Sequence, residues 1–441
     1  MPKFVKIEKK IKPFNKEIFI SGDKSISIRC VLLASQAIGK SKIYNLLESE
    51  DVMSCLQSMK RLGVSFAKKK NYYEINGFGL GSYECNKNLT INAGNSGTFA
   101  RLILGLLVDT KKQIKIIGDK SLSKRDFSRV TNPLSLFGAN IITNNKKLPV
   151  RINGSTFLRP IKYYEELGSA QCKSAVMLAA LKTPGITKIK AKKSRNHTEL
   201  LFKNLKIPIK IKTNLNYDYI EVEGRKNFNS FNYNIPGDIS SCAFFLVLTV
   251  LSKKSEIVIK NVNINNSRAG IIKILNKMNS KINFKNKKKY KGELIADIVA
   301  KSEDNLIGIN CPKKLNSSAI DEFLVIFLVA ARAKGVSHFK DLGELNKKES
   351  PRLDIAIKFL KMIGIKVIRI KNSIKIYGNP SLNLEGNFAI KNFRKDHRVF
   401  MMSTIAALTL GGIWEIHDKD SVKTSLPNFI KIIKQLGAKL S

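Results

Sequence analysis

The sequence predicts an α/β protein of two domains in which short sheets wrap around buried helices. Three observations carry this expectation. The same order of elements recurs along the 441 residues, each recurrence contains a helix that is apolar nearly all round, and a Pro-Gly break at Pro236 and Gly237 divides the recurrences three and three.

The repeated unit is an apolar helix, a Gly or Lys turn, a short strand, a polar loop, an amphipathic helix and another strand. The apolar helices are expected at Cys30–Ile38, Thr98–Val108, Ser174–Leu181, Cys242–Leu251, Phe323–Ala331 and Val399–Leu410. The amphipathic ones are expected at Asp51–Leu62, Arg125–Phe137, His197–Leu205, Ala269–Met278, Arg352–Ile363 and Leu426–Leu436. Gly63, Gly138, Gly364 and Gly437 follow four of these as helix C-termini prefer. Successive units start about 70 to 80 residues apart, a spacing that suits a repeated α/β subdomain better than a small solenoid repeat. A helix apolar on all sides cannot simply lie on a sheet, so the simplest architecture places helices inside and sheets outside. Strands are read from alternation and β-branching at Glu17–Ile20, Ser41–Leu46, Gln113–Ile117, Glu256–Val262 and Ile413–His417. The first strand is expected to join the second half of the chain, giving domains of residues 22–236 and of 1–21 with 237–441.

Composition excludes several classes. Hydrophobic residues at 43% and charged residues at 25% describe a globular chain, not a disordered one. The net charge of +44 would ordinarily suggest nucleic acid, but the lysines are spread along the whole chain with abundant Ile and Asn, the mark of a compositional bias. The runs Lys68–Lys70 and Lys287–Lys289 read as solvated hairpin turns. No aromatic-stacking motif or groove-reading helix supports nucleic acid as a specific partner. The six cysteines, Cys30, Cys55, Cys85, Cys172, Cys242 and Cys311, show no C-x-x-C and fit reduced, buried thiols. The four histidines have no metal-ligand spacing, so no metal is expected. The N-terminus enters a strand almost at once, and the longest apolar runs are too short to span a bilayer, so a cytoplasmic protein is expected.

The polar residues collect at helix starts. SGDKSISIR (Ser21–Arg29) precedes the first apolar helix, which is expected to begin near Arg29, and its glycine is read as a turn. NAGNSGT (Asn92–Thr98), GSAQCKS (Gly168–Ser174), PGDISS (Pro236–Ser241), SSAIDE (Ser317–Glu322) and KDHR (Lys395–Arg398) precede the others. Each alone is no more than a cap, but a helix start offers unpaired N–H groups and a positive dipole end, so six together make an anion site. Arg125, Arg129, Lys348, Arg352 and Lys423 stand at or near starts of amphipathic helices and add charge-assisted donors worth roughly 1.5 to 3 kcal/mol each. Asp321 and Glu349 are carboxylates among these bases, open to general acid and base work or to pairing with the arginines. Glu165 and Glu166 show no such setting. NGFGLG (Asn76–Gly81) mimics a glycine fingerprint but leads into a strand, and Gly39–Ser41 lacks the first P-loop glycine.

These motifs, in this order, resemble the 5-enolpyruvylshikimate-3-phosphate synthase family: GDKSISIR, LLESEDV, AGNSGT, SLSKRDFSRVTNPL, GSAQCKSAVMLAAL, SRNHTE, PGDISS, IDEF, KKESPRL, DHR and KTSLPNF. The resemblance runs nearly end to end. It implies a two-domain inside-out α/β barrel with three βαβαββ-type units per domain and an active site in the interdomain cleft. It implies transfer of the enolpyruvyl group of phosphoenolpyruvate to the 5-hydroxyl of shikimate 3-phosphate, without a cofactor, by a monomer. By motif position it puts Lys24, Ser25, Arg29, Ser169, Ala170, Gln171, Arg195, Asp321 and Lys348 at shikimate 3-phosphate. Lys24, Gly97, Arg125, Gln171, Arg352, Arg398 and Lys423 fall at phosphoenolpyruvate, and Asp321, Glu349 and Lys24 take the catalytic proton transfers. The family pattern R-V-K-E-[ST]-D-R is altered here to Asn346, Lys347, Lys348, Glu349, Ser350, Pro351, Arg352, beside two of those residues, which opens the way to reduced turnover. The sister transferase acting on UDP-N-acetylglucosamine relies on a loop cysteine, and no cysteine lies between Asn86 and Gln171.

Overall fold

The computed structural model describes residues 4–84 and 89–441, so Cys85 lies outside the described residues. The chain forms two compact units. Unit 1 takes the chain through Ser21, then Pro236–Lys289 and Leu294–Ser441; unit 2 takes Gly22–Ile235 and Tyr290–Glu293. Pro236 thus falls one residue to the other side of the expected boundary. The turn Tyr290–Glu293 goes with unit 2, where Glu293 Oε1 stands 2.6 Å from His197 Nδ1 in a buried pair. A contact between residues so far apart in sequence leaves no local signal.

Unit 2 contains helices α1 (Lys24–Ala34), α2 (Glu50–Arg61), α3 (Gly97–Leu106), α4 (Ser128–Ser135), α5 (Ala170–Lys182) and α6 (His197–Asn204). Unit 1 contains α7 (Ile239–Leu251), α8 (Gly270–Lys277), the single turn α9 (Asn316–Ala319), α10 (Phe323–Arg332), α11 (Arg352–Met362), α12 (His397–Leu410) and α13 (Phe429–Gln435). Every residue of α7 and α12 is buried, as an all-round apolar sequence requires. The amphipathic helices bury one side only; in α11, Leu353, Ala356, Phe359 and Leu360 face inward while Lys361 is exposed.

Around α3 and α4, strand Leu89–Asn92 runs parallel to Ile114–Ile117, and the hairpin of Asn140–Asn144 and Lys147–Asn153 adds to it antiparallel. The same order recurs around α5 and α6. Three of the remaining sheets gain a strand from a distant part of the chain, and the fourth is built from Val336–Phe339, Val367–Ile370 and Ser373–Tyr377. Asn232–Asn234 pairs in parallel with Lys42–Tyr44 in unit 2. In unit 1, Asn15–Phe19 pairs in parallel with residues 256–260, and Phe4–Ile7 pairs antiparallel with residues 414–417. These pairings bring strands from the two ends of a stretch of chain into one sheet, so that one edge of the receiving strand is covered.

Four local expectations are corrected. The first helix starts at Lys24, not near Arg29, because the Asp23 carboxylate accepts the Ile26 amide at 2.9 Å and caps it there. Gly22 is needed for close approach, since a Cβ there would lie 2.1 Å from the Asn45 carbonyl oxygen. Arg125 precedes α4 on extended backbone, because Asp126 accepts the Ser128 amide at 2.7 Å and starts the helix later. Lys287–Lys289 belong to the strand Lys281–Tyr290 rather than to a turn, which moves to Lys291 and Gly292.

Close packing of α3 on α5 depends on Gly105, where a Cβ would stand 2.2 Å from the Ala175 carbonyl oxygen. Gly105→Ala is expected to lower stability by about 1 to 3 kcal/mol through overpacking, against the usual gain for Ala in a helix. A urea titration giving an unchanged or raised midpoint would contradict that close approach.

Candidate functional site

In unit 2 the starts of the apolar helices carry a linked polar cluster. The N-caps are Asp23 on α1, Ser96 on α3 and Ser169 on α5, each accepting a backbone amide of the first turn. Lys24, Ser25 and Arg29 follow on α1, and Lys24 Nζ stands 2.9 Å from Asp51 Oδ2 of α2. Arg29 is buried, and its Nε donates to Thr198 Oγ1 at 2.8 Å while Nη2 donates to Ser174 Oγ at 3.0 Å. Gln171 is fixed at both ends of its amide: Nε2 donates to Thr98 Oγ1 at 2.9 Å, and Oε1 accepts from Arg101 Nη1 at 3.1 Å. Gly97 is hemmed by guanidinium groups, since a Cβ there would meet Arg101 Nη1 at 2.8 Å and Arg125 Nη1 at 2.9 Å. Arg125 Nη2 donates to Asn95 Oδ1 at 3.1 Å. Lys24, Ser25, Arg29, Gly97, Arg125, Ser169, Ala170, Gln171 and Arg195 therefore all lie at or beside the starts of α1, α3, α5 and α6 in one unit.

Unit 1 carries the second cluster, built on the buried guanidinium of Arg352. Its Nε donates to Asp396 Oδ2 at 2.9 Å, Nη1 reaches Asp321 Oδ1 at 3.4 Å, and Nη2 donates to Glu349. Lys348 Nζ stands 3.4 Å from Asp321 Oδ1, and Arg398 Nη1 donates to the Asp321 carbonyl at 2.8 Å. Asp321, Lys348, Glu349, Arg352 and Arg398 are thus in one place. Lys423 differs: it is exposed in a 3-10 segment, Lys419–Thr424, paired with Asp420 at 2.8 Å. That segment is tied to α12, with Thr424 Oγ1 lying 3.2 Å from His397 Nδ1.

The electrostatics of this cluster follow from burial. Desolvation opposes the Arg352 charge, but Asp396, Glu349 and Asp321 outweigh it and push its pKa above the usual arginine value. Burial likewise pulls the Asp396 carboxyl upward, and the Arg352 guanidinium more than offsets this, holding it below the ordinary carboxylate range. The carboxylates of Asp321 and Glu349 share one arginine, so arginine pairing and a place beside the other bases coexist at both residues.

In the altered KKESPR segment, Lys348 and Arg352 both reach Asp321, and Arg352 also pairs with Glu349. Asn346 takes over helix capping from outside the helix: its Oδ1 accepts the Leu353 amide at 3.0 Å and the Asp354 amide at 3.3 Å. Pro351 occupies the residue before α11, where no amide hydrogen is required.

Several residues escaped sequence reasoning. Asp51, Arg101, Ser174, Thr198 and Asp396 hold the predicted side chains in place; all but Arg101 lie within the motifs LLESEDV, GSAQCKS, SRNHTE and KDHR, but nothing local marks them as partners of those side chains. Glu165, read as an ordinary acid, is buried, and its Oε1 accepts the Leu167 amide at 3.2 Å in the loop leading to Ser169. Burial pushes its carboxyl up in pKa, partly countered by the amides of Ser169, Leu167 and Gly168. Cys30, Cys55, Cys172, Cys242 and Cys311 are all buried. Among the described residues, no group of three or more His, Cys, Asp or Glu could hold a metal ion.

The family model for EPSP synthase (3-phosphoshikimate 1-carboxyvinyltransferase) matches residues 8–433. The chain belongs to the EPSP synthase family. A relative from Ruthia magnifica subsp. Calyptogena magnifica, a 3-phosphoshikimate 1-carboxyvinyltransferase, is 40% identical over 100% of this chain and 99% of its own. One from Zymomonas mobilis subsp. mobilis with the same activity name is 34% identical over 98% of this chain and 96% of its own. The solved EPSP synthase from Acinetobacter baumannii superposes with a TM-score of 0.86 at 32% identity, covering 99% of both chains. The enolpyruvyl transferase NikO from Streptomyces tendae shares the fold at a TM-score of 0.76 and 12% identity, covering 99% of this chain and 98% of its own. The fold is that of the EPSP synthase family, the two-domain inside-out α/β barrel.

Two predictions follow from the Arg352 cluster. Because the folded pKa of Asp396 is depressed, its stabilisation is complete above the unfolded value near 4 and is lost as pH falls through the folded value. Asp396→Asn is expected to cost about 3 to 5 kcal/mol at neutral pH by stranding a buried charge. It should also flatten the fall in stability below about pH 4; urea titrations across pH that keep the wild-type slope would contradict this. Asn346→Ala is expected to cost about 1 kcal/mol through the lost cap, read as a lowered denaturation midpoint.

Proposed function

We propose that this chain transfers the enolpyruvyl group of phosphoenolpyruvate to the 5-hydroxyl of shikimate 3-phosphate, releasing phosphate, as a 3-phosphoshikimate 1-carboxyvinyltransferase of the aromatic amino acid pathway. The observation that carries this reading is the gathering of Asp321, Lys348, Glu349, Arg352 and Arg398 into one cluster in a member of the EPSP synthase family.

Both substrates carry a phosphate and a carboxylate, and helix starts with guanidinium and ammonium groups suit such anions. In this reading Lys24, Ser25, Arg29, Ser169, Ala170, Gln171, Arg195, Asp321 and Lys348 hold shikimate 3-phosphate. Lys24, Gly97, Arg125, Gln171, Arg352, Arg398 and Lys423 hold phosphoenolpyruvate. The reaction is addition followed by elimination. Asp321 accepts the proton of the 5-hydroxyl as its oxygen bonds to C2 of phosphoenolpyruvate, and a proton carried by Glu349 or Lys24 adds to the methylene carbon. In the tetrahedral intermediate the C–O bond to phosphate then breaks as the methyl group returns a proton, restoring the double bond. The arginines stabilise the anionic intermediate. No helix among the described residues is long and apolar enough to cross a membrane. The reading includes a cytoplasmic, monomeric enzyme, as the family implies.

A phosphate-release assay tests it. Release must require both substrates, and release that is unchanged without shikimate 3-phosphate would refute the assignment. Asp321→Ala is expected to lower kcat by about 10²- to 10⁴-fold, and Arg125→Ala to raise KM for phosphoenolpyruvate about tenfold or more. Gly97→Ala would push a methyl group at Arg125 and should also raise KM for phosphoenolpyruvate. Lys24→Ala should impair binding of both substrates, and Ser25→Ala mainly that of shikimate 3-phosphate; the opposite pattern would count against these roles.

A further inference from the structure

Two consecutive residues of α5 meet two consecutive residues of α6. Lys173 Nζ stands 2.6 Å from Glu199 Oε1, and Ser174 Oγ stands 2.7 Å from Thr198 Oγ1. All four side chains are buried, with Lys173 fully so. The ion pair and the hydroxyl pair do different things. Lys173 and Glu199 hold the start of α6 against α5, and Asp218 stands 3.9 Å away on the same ammonium group. The hydroxyls instead face a third helix, α1, and together accept the Nε and Nη2 hydrogens of Arg29 at 2.8 and 3.0 Å. Arg29 Nη1 donates back to the Ser25 carbonyl of its own helix at 3.0 Å.

A guanidinium is planar, so acceptors on Nε and Nη2 together set both its position and its plane. Without them, a long side chain on α1 would have several rotamers to choose from, and binding an anion would require freezing one of them. We propose that Thr198 and Ser174 are positioning residues that hold the Arg29 guanidinium in the orientation that receives the anionic shikimate 3-phosphate, with the Lys173–Glu199 ion pair keeping the two hydroxyls in register. The inference rests on the reading of Arg29 given above. It makes SRNHTE more than a supplier of Arg195: the threonine three residues on acts through an arginine on another helix.

The test is Thr198→Val, which keeps the shape and removes the acceptor, with Thr198→Ser as the conservative rescue and Ser174→Ala as a second, independent loss. Binding of shikimate 3-phosphate alone, followed by fluorescence or calorimetric titration, should weaken about tenfold or more in Thr198→Val. It should return to within about twofold in Thr198→Ser, while KM for phosphoenolpyruvate stays within about twofold. In an Arg29→Ala background, Thr198→Val should add little further loss, because its effect passes through that arginine. A purely structural threonine would lower the melting temperature and leave this coupling absent. Equal losses with and without Arg29, or wild-type affinity in both Thr198→Val and Ser174→Ala, would overturn the proposal. If the wild-type protein neither binds shikimate 3-phosphate nor releases phosphate, the functional reading fails and takes this inference with it; failure of the variants alone leaves that reading standing.

Discussion

A helix that is apolar on every side has nowhere to go but the middle, and this constraint organises each unit. Burying α7, α10 and α12 requires other elements on all their sides, so sheets become the outer wall and the helices pack against one another. Their starts come together, as the bonds among them show: Ser240 of α7 donates to Glu322, and Arg398 of α12 stands 3.9 Å from the same carboxylate at the start of α10. Gathered helix starts bring together positive dipole ends and unpaired amides, which favour anions. Part of that demand is met internally by the N-cap carboxylates Asp23, Asp238 and Asp396. The rest is available to substrates that carry phosphate and carboxylate groups.

Within unit 1 the buried Arg352 gathers three carboxylates around it. Arg352 could not be buried alone, since an unpaired charge in such a place costs several kcal/mol. Asp396 supplies the compensating charge from beneath and is itself tied by the N-cap of α12 and by Ser350 Oγ at 2.8 Å. That arrangement fixes where the guanidinium lies, and with it the positions of Asp321 and Glu349. Unit 2 positions Arg29 and Arg101 with neutral acceptors, the hydroxyls of Thr198 and Ser174 and the Oε1 of Gln171, while Lys24 is paired with the Asp51 carboxylate.

Much of this was legible in the chain. Helix periods, C-terminal glycines and strand alternation located the repeats, because each depends on near neighbours. The motif residues at helix starts were legible for the same reason, since caps and first-turn residues lie within a few positions of one another. Boundaries slipped where a side chain had the deciding vote, as Asp23 did for α1 and Asp126 for α4.

The sequence by itself thus determined the fold class and the repeat order, which follow from local periodicity and local capping, while the candidate site residues came from the order of motifs that resembles a known family. Only the tertiary structure decided which of them touch and what holds them. Asp396 beneath Arg352, Thr198 and Ser174 on Arg29, and Arg101 on Gln171 join residues 44, 169, 145 and 70 positions apart. Such pairs leave no periodic trace, because they form only when separate helices are packed with their starts together.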